Sequence, residues 1–265
     1  MQLGFIVNAD SDLRDSVNFA VEQKIGFMEL QFDWKEDAPP NLDAGRIRDA
    51  LRGTTVGIAA CGLWWLNTMS ADKAEFERND KIVREFIDMT AAVGGRVVFL
   101  NAGEYKADDT DANIAKLKET WPRYRDYATQ KGLIIACYLS HKGNFINSPE
   151  ILERVLREIP DFNIKVDPVG VIRNMKADPY EVIQRFGHRI VHFHMKDIYK
   201  GVDGFEIEPP VGMGQLRWNE IMGMLYHHAY NGFIIIEPHA AMWGVGENRF
   251  RHVVLSKQYI EGFLL

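Results

Sequence analysis

Eight short runs of β-branched and apolar residues recur along this chain, each followed by a longer stretch, several of them with helical spacing. That alternation leaves few architectures open. The runs cover residues 3–7, 27–32, 56–63, 96–100, 133–139, 162–167, 190–194 and 233–237. Runs this apolar suit parallel strands covered by helices. A helix over 12–24 puts Leu13, Val17, Ala20 and Val21 on one face, and one over 71–93 does the same with Phe76, Val83, Phe86, Ile87 and Thr90. Ser148-Pro149-Glu150 and Asp178-Pro179 each start another, with a capping side chain and then proline at the first helical position. Residues 218–228 and 251–264 supply the last two. Gly26, Gly94-Gly95, Gly132 and Gly232 fall just before strands, where a helix-ending glycine belongs. With 265 residues, no shift in composition and no long linker, the reading is an α/β fold, a single (β/α)₈ barrel of the TIM type over 1–265. An open doubly wound sheet needs a phosphate-binding glycine loop after an early strand, and Asn8-Ala9-Asp10-Ser11 offers none. The longest irregular stretch, 201–214, follows the seventh strand and so belongs to the face where barrels keep active sites.

Three runs end at once in an ionisable residue. Asp167 closes Phe162-Asn163-Ile164-Lys165-Val166, His194 closes Arg189-Ile190-Val191-His192-Phe193, and Glu237 closes Gly232-Phe233-Ile234-Ile235-Ile236. A buried strand ending this way delivers its last group to the carboxyl end of the barrel. Two carboxylates and an imidazole from three consecutive strands make a divalent-metal site, for Mn²⁺ first, with Mg²⁺, Co²⁺ or Zn²⁺ as alternatives. Each residue also has a plainer reading. Asp167, before Pro168, suits a turn, and a lone histidine in an apolar strand is usually a satisfied core group. Glu237 is harder to dismiss, because glutamate is almost never buried unpaired. His192, two residues before His194 on the same face, belongs deeper in the barrel. Trp64 and Trp65 end the third strand beside Asn67. Strand alternation sends one inward and the other towards the helices, and an inward tryptophan suits the apolar face of a sugar. Trp34 and Trp243, after strands two and eight, are placed to wall the same pocket.

The remaining composition narrows the class. A net charge of −6 argues against a nucleic-acid surface, and no stretch approaches the ~20 apolar residues of a membrane span. The first residues lack the basic and long apolar regions of a signal peptide, so a cytoplasmic location is expected. Cys61 and Cys137 sit in apolar segments and read as reduced core thiols.

Val191-His192-Phe193-His194-Met195-Lys196-Asp197, Val211-Gly212-Met213-Gly214-Gln215-Leu216-Arg217-Trp218 and Tyr230-Asn231-Gly232-Phe233-Ile234-Ile235-Ile236-Glu237-Pro238-His239 resemble, in order, three segments of the sugar phosphate isomerase/epimerases, the xylose isomerase-like TIM barrels. The likeness runs through essentially the whole chain. It implies a metal-dependent isomerase, epimerase or lyase that moves a proton beside a metal-polarised oxygen of a small sugar, keto-sugar or cyclitol. It also implies a homodimer or homotetramer. The family binds its metal with Glu, Asp, His and Glu from strands five to eight, and Asp167, His194 and Glu237 match the last three. The first glutamate is absent. In Leu139-Ser140-His141-Lys142-Gly143-Asn144-Phe145 the register puts Leu139 in its place, or Tyr138 after a slip of one.

A two-base epimerase loses one base this way, worth roughly 10²–10⁴ in rate. Three substitutes are open. His141 is a candidate fourth ligand or a loop residue contacting substrate. Glu104, after the fourth strand, is a candidate acid or base, or a helix-start carboxylate. Lys196 is a candidate partner of Glu237 in the chemistry, or an ion-pair partner of a nearby carboxylate such as Asp197. Trp64, Asn67 and His141 are the expected substrate contacts. The alternative is a degenerate, non-catalytic barrel that binds a sugar-like ligand or a partner. A DNA-repair endonuclease of the endonuclease IV kind needs more metal ligands and a basic face.

Overall fold

The structure, a computed structural model, describes every residue except Ser140 and Lys142, and the backbone alone at Ala240 and Ala241. In chain order the strands are β1 (Gln2–Asn8), β2 (Phe27–Asp33), β3 (Gly57–Trp64), β4 (Val97–Leu100), β5 (Ile134–Tyr138), β6 (Ile164–Val166), β7 (Ile190–Met195), β8 (Tyr199–Lys200), β9 (Glu206–Ile207) and β10 (Phe233–Ile236). Eight of them are parallel and close into a barrel in the order β1-β10-β7-β6-β5-β4-β3-β2, with β1 also pairing β2. The eight strands read from the sequence are these eight. β8 and β9 form an antiparallel hairpin, so part of the stretch read as irregular is ordered.

The helices Leu13–Glu22, Lys73–Ala92, Pro149–Glu158, Pro179–Phe186 and Trp218–His227 stand where the sequence put them, and the last, Gly246–Ile260, starts earlier than residue 251. Ala44–Leu51 and Thr110–Gln130 were not foreseen. In the second, Pro122 sits within the helix and hides a face formed by Ile114, Leu117, Trp121, Tyr124 and Ala128. Gly94 and Gly132 take the left-handed conformation after their helices (φ 76° in both), but Lys24 and Ala229 take it in place of Gly26 and Gly232.

Strand alternation divides the apolar residues into two layers. Outward residues pack under the helices in the main core. Inward ones form separate clusters inside the barrel, one of them Ala60, Trp64, Val97, Phe99, Ala136 and Tyr138. Leu139 belongs to the outer core and Tyr138 to the inner cluster, which corrects the register favoured from the sequence: Tyr138 is the inward residue at the end of β5. Cys61 and Cys137 are free and buried, and burial pushes both thiols up to about 12. Among the described residues no helix is long and apolar enough to cross a membrane.

Candidate active site

Charged side chains run up the barrel interior in a connected column. Its base is Glu29, in the middle of β2 and wholly buried. The Glu29 carboxylate accepts from His192 Nε2 and, at 2.8 Å, from His194 Nε2. The other nitrogen of His194, Nδ1, lies 2.6 Å from Glu237 Oε2. Glu237 Oε1 meets Lys196 Nζ at 2.9 Å, and the same ammonium meets Asp167 Oδ2 at 3.1 Å. The geometry follows from a period of two: His192, His194 and Lys196 share the inward face of β7 and its extension, as Lys165 and Asp167 share that of β6.

Charge alternates along this column. An ionised carboxylate only accepts, so a ring with a carboxylate on each nitrogen carries both protons. His194 is therefore an imidazolium between Glu29 and Glu237; burial opposes that charge, but Glu29 and Glu237 raise its pKa. Burial likewise opposes the charge on Glu29, yet His194 and His192 hold its carboxyl down to about 2. Lys196 stays charged because Asp167 and Glu237 outweigh its desolvation, and both carboxyls are lowered in turn, chiefly by Lys196. The ion pair open to Lys196 thus forms with Asp167 and Glu237 and not with the adjacent Asp197, because neighbours on an extended chain point to opposite sides.

The column opens into a cavity of about 290 Å³ at the carboxyl ends of the strands, lined among others by Gln31, Trp64, Trp65, His141, Asp167, Lys196 and Glu237. His141 packs edge-on against Trp64, with ring centroids 4.9 Å apart, and burial holds its imidazole down to about 4. It enters the cavity as a neutral ring. Lys165 lies deeper, wholly buried, with Nζ 5.0 Å from the centroid of the Trp64 ring, and burial lowers its pKa.

Other expected residues fall elsewhere. Asn67 does not line this cavity. Its amide accepts from the backbone of Met69 and Glu104 (3.1 and 3.0 Å) and donates to the Glu104 carbonyl (2.9 Å), clamping two loops together. Glu104 borders an adjoining cavity of about 370 Å³ that shares His141 and Arg173 with the first. Trp34 and Trp243 are not among the lining residues; Trp34 packs on the outer core and Trp243 against His252. Alternation was expected to send one of Trp64 and Trp65 towards the helices; instead Trp65 leaves β3 in the left-handed region (φ 72°) and lines the same cavity as Trp64.

Sequence reasoning missed Glu29, Arg173 and Glu208. Glu208 is buried behind the hairpin and is paired with Arg173 and, at 3.1 Å, with His239. Arg173 also holds Glu206 of β9 (2.8 Å), which ties the hairpin to the cavity rim. A signal for Glu29 was present: polar residues at 29, 31 and 33 alternate with apolar ones along β2, the pattern of a strand with a polar inner face.

Two neighbouring groups suit a divalent cation. Glu29, His192 and His194 offer donor atoms within 4.8 Å of one another, and all three are fully buried. One layer above, Asp167 and Glu237 already converge on a single cationic group, the Lys196 ammonium, with His194 Nδ1 beside them. Two carboxylates and an imidazole fit a hard ion. The upper group faces the cavity, as a catalytic ion requires, and the lower one is closed on all sides, as in structural sites.

An inosose dehydratase from Glaesserella parasuis serovar 5 (strain SH0165) is 23% identical over 237 residues, covering 77% of this chain and 76% of its own length. The D-psicose 3-epimerase of Clostridium cellulolyticum H10, solved with D-tagatose, superposes with a TM-score of 0.79 at 13% identity, over 100% of this chain and 99% of that one. The IolI protein, solved with a bound zinc atom, gives 0.76 at 12% identity, over 99% and 98%. The family model for the xylose isomerase-like TIM barrel matches residues 17–252, and with the closed parallel barrel and its charged upper end this chain belongs to that family.

Proposed function

We propose that this chain is a lyase that removes water from a small keto-sugar or keto-cyclitol. The observation that carries the reading is the meeting of Asp167, Lys196, Glu237 and His141 in one cavity walled by Trp64 and Trp65. Glu237 is ionised and accessible from the cavity, so it serves as the base for a proton on the carbon next to a carbonyl. The electrons of that C–H bond form the new C=C bond as the C–O bond of the neighbouring carbon breaks. The departing hydroxyl takes a proton from Lys196, the charged donor beside Glu237, and leaves as water. Both groups act from one end of the column. A 3-epimerase would need a second carboxylate on the other face of the substrate, and Tyr138 stands inward where the family resemblance implies that residue. The inosose dehydratases among the relatives favour the same choice.

Asp167, Glu237 and, once its Nδ1 proton is displaced, His194 would hold a divalent ion, with His141 available as a neutral fourth ligand. When bound, the ion polarises the substrate oxygen and stabilises the charge that develops on it. The missing glutamate also supports a second reading, a barrel that binds such a ligand without turning it over.

Purified protein supplied with Mn²⁺ and a panel of keto-cyclitols and ketohexoses separates the two, with formation of the conjugated enone followed by ultraviolet absorbance. We expect turnover in the wild type and a loss of at least about 10²-fold in kcat in Glu237→Gln. Full activity in that variant removes Glu237 from the reaction. Ligand binding without turnover selects the second reading.

A further inference from the structure

Trp65 is an aromatic residue in a place that needs an explanation. It is half-exposed (48%) at the mouth of a polar cavity, and its backbone is left-handed, a conformation glycine adopts freely and a bulky L-residue does not. Two anchors hold it there. Its backbone N–H donates to the Tyr138 hydroxyl at 3.1 Å, and its indole Nε1–H donates to Asp33 Oδ1 at 3.2 Å. Asp33 is itself held by the Gln31 amide (3.0 Å). Strain of this kind persists where surrounding structure imposes it, and such sites cluster at ligand clamps.

We infer that Trp65 is the stacking platform for the ring of the substrate, and that Tyr138 and Asp33 are the positioning residues that present it. This rests on the sugar or cyclitol reading of the cavity and deepens it. A ring whose hydroxyls are equatorial has an apolar face of C–H bonds and a polar rim. Trp65 offers an apolar surface, with the His141 ring nearly perpendicular to it (centroids 5.7 Å, 88°). Asp167, Lys196, Glu237 and Gln31 line the same cavity and supply polar partners for the rim. A cyclic polyol matches that division and an open-chain one does not, since its C–H groups cannot hold one flat face. The inward position at the end of β5, a metal ligand in the resemblance, thus serves here to place an aromatic wall.

The test is equilibrium binding, which needs no turnover. scyllo-Inositol, with all hydroxyls equatorial, and D-mannitol, its open-chain counterpart in carbon number, are titrated into the protein by calorimetry. We expect the wild type to prefer the ring by roughly five- to tenfold, the scale of an aromatic contact. Trp65→Gly removes the platform and relieves the backbone. It should erase the preference while its melting temperature stays level or rises, whereas general damage would lower the affinity for both ligands and the melting temperature together. Trp65→Phe should keep most of the preference, and Tyr138→Phe should reduce it by several-fold with the fold intact. A wild type without preference for the ring, or a Trp65→Gly protein that folds and retains it, overturns the inference. If Trp65→Gly does not fold, an unchanged preference in Tyr138→Phe overturns it instead. Ring binding through Trp65 without any dehydration would sink the proposed reaction alone. Dehydration with a KM indifferent to Trp65 would sink the platform alone.

Discussion

Glu29 shows how much of this interior depends on one side chain. It is wholly buried, and two imidazoles take its carboxylate as their acceptor. Removing one partner of a buried charge pair leaves the other uncompensated and costs about 3–5 kcal/mol. Glu29→Gln should therefore lower the unfolding free energy measured in urea by an amount of that order, through a lower midpoint at an unchanged slope; a loss under about 1 kcal/mol would mean that His194 is neutral in the folded chain. His252 acts in the opposite sense. It is buried in the last helix, and burial holds its imidazole down to about 4 from an ordinary 6.5. Between those values the unfolded chain binds a proton that the folded chain refuses. The contribution of His252 is therefore intact above 6.5 and is lost as the pH falls towards 4. At pH 5 this amounts to about 2 kcal/mol. The drop in stability from pH 7 to pH 5 should be smaller in His252→Gln than in the wild type by that amount, and equal drops would refute the assignment. Of these two residues Glu29 was legible, through the alternation along β2. His252 was not, since nothing in its own segment tells a buried helical histidine from an exposed one.

The segment after β7 was legible as a motif before its purpose was visible. Asp197 is buried and accepts from the backbone N–H groups of Gly212 (3.0 Å), Gly214 (3.2 Å) and Leu216 (3.1 Å) and from the Trp218 indole (3.1 Å). One carboxylate thus shapes the loop that leads into the Trp218–His227 helix. The glycine at 214 is required by that approach, because a Cβ there would lie 2.1 Å from Asp197 Oδ1 and 2.6 Å from the Ile198 carbonyl oxygen. Gly214→Ala should destabilise by about 1–3 kcal/mol, the usual cost of overpacking. Gly223, in the helix itself, has nothing within 4 Å of its Cβ position, so Gly223→Ala should stabilise by about 0.5–1 kcal/mol. Thermal melts of the two variants should move in opposite directions; a shared sign would contradict this account of the loop. The sequence motif includes Gly214 and not Gly223, and only the folded loop shows why one glycine is required and the other is not.

At the scale of the molecule, the alternation of apolar runs and helices specifies the barrel, because eight strands buried on both faces have few other ways to be covered. The same alternation places Asp167, His194 and Glu237 at one end, since each closes a strand and parallel strands end together. Those features are local or periodic, and the sequence by itself determined them. The pairing of side chains across the interior was decided by closure. Glu29 is 163 residues from His192 and 165 from His194, and they meet because β2 and β7 face each other across a closed ring. Tyr138 rather than Leu139 points inward because the register of β5 is set by its neighbours β4 and β6, not by its own residues. Trp65 reaches the cavity because Tyr138 of β5 holds its backbone and Asp33 of β2 holds its indole. A sequence records which residues can carry charge or stack on a ring; which of them share a space depends on contacts between distant segments, and those exist only once the barrel is closed.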